Sequence, residues 1–196
     1  MHALLPVRTR QDILPAYRET PIGDLLANHN LRVPSPSYDR AQLIVGMCMD
    51  HRYALCLPDN FAYILRTGGV NLKRIEFKVS YAIAVGGVQH LCLIGHDNCG
   101  MVDLSSRRDL FVRGLVKFGG WTAQAAEEHF DQHAAEFEIG DVQTFTIAEA
   151  RRIGLRYPRL VVAPLFYQIE EGMLYQLVEE EHKTSRRQLS RSAAVR

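Results

Sequence analysis

Cys48, Asp50 and Arg52 stand at alternating positions where an apolar run, AQLIVGMC, comes to its end. In an extended chain, side chains two apart leave the same side, so this spacing predicts a thiol, a carboxylate and a guanidinium crowded on one face. A second apolar run, VQHLCLIGH, ends in His96, and the loop after it, Asp97-Asn98-Cys99-Gly100, supplies a second thiol three positions beyond the imidazole. Two thiolates and one imidazole suit Zn²⁺, which takes four ligands in a tetrahedron at roughly 2.0–2.3 Å. Cys48, His96 and Cys99 supply three of these and leave one position for water, the arrangement of a catalytic site. Asp50 is the candidate for a fourth protein ligand. Arg52 bears on that choice, because a guanidinium engages a carboxylate through two parallel hydrogen bonds and keeps it ionised and oriented. Held in this way, Asp50 accepts a proton from metal-bound water; released, it swings to the metal as a conditional fourth ligand.

These groups meet only if the elements carrying them end side by side. AQLIVGMC and VQHLCLIGH are apolar on both faces, which fits parallel strands covered by helices. A shorter strand is expected at FAYILR, and NLKRIEFKVSYAIAVGG places Ile75, Val79, Ala82 and Ile83 at helical spacing before a Gly86-Gly87 stop. Strand, helix, strand argues for a right-handed α/β unit, and in such sheets ligands collect beyond the carboxyl ends of the strands. Helices are expected over 103–118, 122–137 and 143–155, and a closing strand and hairpin over LVVAPLFYQIEEGMLYQLV, with its turn near Gly172. The fold class is therefore α/β, a mostly parallel central sheet flanked by helices. Residues 1–40, punctuated by Pro6, Pro15, Pro21, Pro34 and Pro36, read as a helical arm with short helices near 10–18 and 22–30, lying on the domain (41–180) or on a partner subunit. Residues 183–196, rich in Arg and lacking acids after 182, read as a disordered basic tail, for which an acidic protein partner is one reading.

C-x-D-x-R followed by H-x-x-C-G resembles the β-class carbonic anhydrases, and GHDNCGM is similar to their shorter members. The resemblance runs from about residue 41 to the final hairpin. It implies that Cys48, His96 and Cys99 bind Zn²⁺, that the Asp50–Arg52 dyad manages the fourth position, and that Arg66-Thr67-Gly68-Gly69 borders the pocket. Arg66, Gly69 and Gly100 are then the substrate-binding residues, with His51 a candidate proton relay. The implied activity is reversible hydration of CO₂ to bicarbonate by a zinc-bound hydroxide, in a homodimer or higher homo-oligomer. Two features depart from the family pattern: the connection from Cys48 to Arg66 is short and interrupted by Pro58, and the turn reads RTGGVN. They keep two rivals in view, a hydrolase of carbonyl sulfide or carbon disulfide on the same scaffold and a non-catalytic zinc-bound scaffold or binding protein.

The remaining composition is neutral on chemistry. The chain has 196 residues, 47% hydrophobic and 23% charged, with 23 Lys and Arg against 22 acids, which gives no argument for nucleic acid or membrane partners. No apolar run approaches the roughly 18–20 residues of a membrane span, and the cytoplasm is the expected location. A nucleophilic Cys–His pair is chemically conceivable but gives the second thiol no role. Cys56 and Cys92 read as buried structural thiols, and the lack of G-x-G-x-x-G after a strand disfavours a dinucleotide.

Overall fold

Two apolar strands with no polar face need helices on both sides, and the computed structural model, which describes residues 2–34 and 36–179, supplies them. In chain order the elements are β1 (His2–Pro6), α1 (Pro15–Arg18), α2 (Pro21–Leu31), β2 (Leu43–Cys48), β3 (Ala62–Thr67), α3 (Glu76–Ala84), β4 (His90–His96), α4 (Arg108–Gly119), α5 (Ala123–Phe137), α6 (Val142–Arg156), β5 (Val161–Gln168) and β6 (Met173–Glu179), with short 3₁₀ turns between several of them. The strands form one six-stranded sheet in the order β1-β6-β5-β4-β2-β3. β3, β2, β4 and β5 are mutually parallel, while β6 and β1 are added antiparallel at one edge.

Alternation along the strands divides the core between the two faces. Leu43, Val45 and Met47 of β2, with Cys92 and Ile94 of β4, pack against Ile22, Leu25 and Leu26 of α2. Ile44 of β2, with Leu91 and Leu93 of β4, packs against Val79 and Ala82 of α3 and Ala150 and Ile153 of α6. Helix starts follow local chemistry. Thr20 caps α2 ahead of Pro21, and Asp141 caps α6 by accepting the Thr144 N–H at 2.8 Å. Gly95 lets α6 cross close to β4, since a Cβ there would lie 2.4 Å from the Thr146 hydroxyl.

The N-terminal segment differs from the expected arm. It opens with strand β1, paired with β6 from His2↔Glu179 to Pro6↔Tyr175, and Pro6 is accommodated because it ends an edge strand. Asn30 of α2 donates to the carbonyls of Leu174 and Val7 and accepts the Leu174 N–H, while buried Gln176 accepts the Leu14 N–H and donates to the Asp12 carbonyl. These bonds fasten the segment to its own sheet. Residues 53–60 contain no helical turn and run as an irregular connection. Cys92 is fully buried as expected, but Cys56 is exposed, since that connection runs over the surface. The basic tail lies outside the described residues. Among the described residues no helix is long and apolar enough to cross a membrane.

Candidate metal centre

The parallel register of β2 and β4 brings their carboxyl ends together, so Cys48 and His96, the last residue of each, become neighbours. They arrive from opposite faces: Cys48 continues the line of Ile44 and Gly46, and His96 the line of Cys92 and Ile94. Cys99 closes the group from the loop after β4. Its Sγ lies 3.9 Å from the Cys48 Sγ, and the candidate ligand atoms of Cys48, His96 and Cys99 all lie within 4.8 Å of one another. All three side chains are buried, His96 completely.

The donor set and its geometry fit a tetrahedral ion. Two sulfurs each about 2.3 Å from one such ion stand about 3.8 Å apart, close to the separation seen. The imidazole is oriented for the same purpose. The Asp97 carbonyl, 2.8 Å from His96 Nδ1, can only accept, so Nδ1 carries the proton and Nε2 presents its lone pair. That Nε2 is buried and has no hydrogen-bond partner among the described residues. A buried nitrogen left unpaired costs about 1–3 kcal/mol, which a metal bond removes. Asp97 is itself fixed, its carboxylate accepting the Ile169 N–H at 2.8 Å.

Asp50 and Arg52 are brought together, though by a turn. The strand ends at Cys48, and Asp50 Oδ1 accepts the Arg52 N–H at 2.9 Å, the local bond that Asp favours in turns. The expected extended alternation therefore stops at Cys48, four residues before Arg52, yet the dyad forms. Arg52 donates from Nε at 2.9 Å and 3.1 Å to the two carboxylate oxygens and from NH2 at 2.6 Å to Oδ2. It also donates to the Asn98 carbonyl at 2.7 Å, joining the Asp50 turn to the Cys99 loop. Asp50 Oδ2 stands 4.0 Å from His96 Nε2, beside the ligand cluster.

The electrostatics follow from these contacts. The Arg52 guanidinium holds the Asp50 carboxyl well below the usual carboxylate range. The Cys48 thiol is pulled down by the hydrogen bond from Cys99, against the effect of burial and with help from His96 and the N–H groups of Asp50 and Gly69. Cys99 is pushed up by the same sulfur–sulfur bond and by burial. For His96, burial works downward, but the Cys48 sulfur, the Asp97 carbonyl and Asp50 raise it overall.

Arg66 is spent on the backbone, donating to the carbonyls of Cys48 at 3.1 Å, Asp50 at 3.0 Å and Tyr53 at 3.4 Å. It holds the turn that carries the dyad. Gly69 adopts φ +60°, and a Cβ there would press on Ile139 at 3.1 Å and Met101 at 3.2 Å. Its N–H thereby faces the Cys48 sulfur. Gly100 follows Cys99 with open space where a side chain would stand. His51 is exposed.

Tyr53 is a residue that sequence reasoning passes over. It is buried at the base of the cluster, its hydroxyl accepts the Cys48 N–H at 3.1 Å, and its ring lies 5.1 Å from the His96 ring and 4.6 Å from the Tyr167 ring. Its place in sequence gives no signal, because the turn at Asp50 breaks the period of two that would have located it. Beside the cluster lies a cavity of about 270 Å³ whose wall includes Met49, Gly68, Met101, Phe111, Phe130 and Phe137. Met49 follows Cys48, Gly68 follows the end of β3, and Met101 stands two residues after Cys99, so the cavity is lined by chain neighbours of the two thiols and walled on its other side by α4 and α5.

No protein-family model matches the chain, and no curated protein matches it by sequence. Solved structures do match. A β-carbonic anhydrase, isoform I, of Trichomonas vaginalis superposes with a TM-score of 0.59 at 17% identity, over 74% of this chain and 88% of that one. A carbonic anhydrase from Glaciozyma antarctica gives 0.54 at 23% identity, over 84% and 95%. The apo form of a carbon disulfide hydrolase gives 0.51 at 14% identity, over 76% and 88%. The central sheet with its flanking helices is thus the fold of the β-carbonic anhydrases, in line with the resemblance carried by the C-x-D-x-R and H-x-x-C-G motifs.

Proposed function

We propose that this protein is a zinc enzyme that hydrates CO₂ reversibly to bicarbonate. The observation that carries the reading is the buried Cys48–His96–Cys99 cluster with its unpartnered Nε2, beside an Asp50 held by Arg52. When bound, Zn²⁺ lowers the pKa of a coordinated water toward about 7 and supplies a nucleophile at neutral pH. The chain's own residues do the rest. Cys48, His96 and Cys99 hold the ion, and the Nδ1 bond to the Asp97 carbonyl keeps the imidazole aimed. Asp50, kept ionised by Arg52, accepts a proton at its Oδ2. Arg66 and Tyr53 fix the backbone between Cys48 and Tyr53 so that neither ligand nor base drifts. The cavity beside the cluster offers an apolar, linear substrate a mostly apolar wall. Gly69 and Gly100 border the approach, Gly69 with its N–H turned to the Cys48 sulfur and Gly100 with open space where a side chain would stand.

The apolar wall of that cavity also supports a second reading, hydrolysis of carbonyl sulfide or carbon disulfide, which are less polar than bicarbonate. Assembly as a homodimer or larger homo-oligomer, in the cytoplasm, belongs to the same proposal. The assembly is supported by exposed apolar side chains on β3 and α3, among them Ile64, Phe77 and Tyr81.

The test is stopped-flow CO₂ hydration by protein whose zinc content has been measured, with carbonyl sulfide run in parallel. One zinc per chain with CO₂ turnover supports the first reading, and turnover of carbonyl sulfide alone supports the second. One zinc per chain with neither activity overturns both.

A further inference from the structure

Helix α5 carries two histidines, His129 and His133, one turn apart on one face. Their ring centroids are 4.8 Å apart, and both line the cavity of about 270 Å³. Phe137, a further turn along the same face, touches the Gly68 position at the ligand end of that cavity. Among the described residues neither imidazole has a hydrogen-bond partner. Trp121, at 5.2 Å, and Phe111, at 6.2 Å, flank the His129 ring. Of the carboxylates of α5 nearest in sequence, Glu127 and Asp131 are engaged by Arg108, and Glu128 accepts from Gln124 at 2.9 Å.

The geometry points to a second divalent-metal site, made by His129 and His133 and separate from the Cys48–His96–Cys99 cluster. Histidines at i and i+4 on one helix face are a known chelating pair, because one turn brings both rings to the same ion. Two nitrogens on one tetrahedral ion stand about 3.3 Å apart, and ring centroids 4.8 Å apart are compatible with that separation. Imidazole donors without thiolate or carboxylate suit Zn²⁺, Cu²⁺ or Ni²⁺, not Ca²⁺ or Mg²⁺. The cavity leaves room for the water that completes the coordination. In the stretch His129-Phe130-Asp131-Gln132-His133, the position that holds a general base in H-E-x-x-H metalloproteases is Phe130, which is buried. The pair therefore binds an ion without a hydrolytic base beside it.

The test uses the full chain loaded with zinc at its first site, titrated with Ni²⁺ above the ordinary histidine pKa of about 6.5. Trp121 is the only tryptophan of the chain, so its fluorescence reports an ion held at His129. The expected result is one further Ni²⁺ per chain by calorimetry, with quenching of Trp121. His129→Ala and His133→Ala should each weaken this binding by at least the roughly 10–100-fold seen when an outer-shell partner of a metal is lost. His90→Ala should leave it in place. His→Ala raises helix propensity in α5, and circular dichroism checks that the variants keep their helix; His→Gln at both positions serves as a second pair of variants. Absence of a second equivalent in the wild-type protein overturns the proposal. So does Ni²⁺ binding and quenching of equal strength in the double variant. Neither outcome bears on the first metal site.

Discussion

The strands that carry the candidate ligands and the helices that wall the cavity are built differently. On one side every residue of β2 is buried, as is β4 from Leu91 to His96, and the ligands sit at the ends of these strands. On the other side α4 buries only Val112 and α5 only Ala126 and Phe130, while Leu110, Val116, Phe118 and Trp121 remain exposed. The candidate ligands are thus placed by the most deeply buried part of the sheet, and the neighbouring cavity is walled by a helical hairpin that buries few of its residues. Packing of this kind predicts that metal binding tolerates changes in the hairpin and that substrate preference does not.

The contrast fails first if the ligand set is wrong. Cys99→Ala removes one of three donors and should cost one zinc per chain by elemental analysis, whereas any single hairpin substitution should leave the zinc of the Cys48–His96–Cys99 site in place. Asp50→Asn should keep the zinc and lower CO₂ hydration by about 10²–10⁴-fold, the range for loss of a positioned acid–base group. Zinc lost together with activity in that variant would make Asp50 a ligand.

The effect of pH separates the ligands from the dyad. Asp50 is held well below the carboxylate range, so it stays ionised as pH falls through 3.8, its ordinary value, and its stabilising contribution is lost only at the lower folded value. His96 is raised in the folded chain, so protons compete with the metal at a higher pH than for a free histidine. On acidification zinc content and activity should fall together, before Asp50 is protonated. Activity falling while zinc is fully retained would contradict this order.

Two smaller effects sharpen the comparison. Tyr53→Phe keeps the ring but leaves the buried Cys48 N–H without its acceptor. It should cost about 1–3 kcal/mol in denaturant unfolding and weaken zinc binding. Phe111→Ala, on the hairpin wall, should leave zinc content unchanged and shift the ratio of CO₂ to carbonyl sulfide turnover by about 10-fold, the scale of apolar pocket discrimination.

The strong side of the cavity was the legible side. β2 and β4 announce themselves as apolar runs, and Cys48, His96 and Cys99 are readable because metal-ligand chemistry restricts both type and spacing. The Asp50–Arg52 pair was readable for a reason that proved local: it forms through a turn and not through strand alternation. β1 was not legible, since its partner β6 lies at the other end of the chain and HALLP carries no strand signal of its own. Tyr53 and the role of Arg66 depend on where an irregular connection passes, which no periodicity records. The histidines of α5 sit in a polar, weakly amphipathic stretch, and their neighbourhood to the cavity appears only once α4 and α5 pack together.

The central claim is that Cys48, His96 and Cys99 hold one ion and leave its fourth position to a light atom. X-ray absorption at the zinc edge of the loaded protein tests it most directly. The expected spectrum shows two sulfurs near 2.3 Å and two nitrogen or oxygen neighbours near 2.0 Å, one of them with the scattering pattern of imidazole. A coordination shell without sulfur, or with more than two, would contradict it.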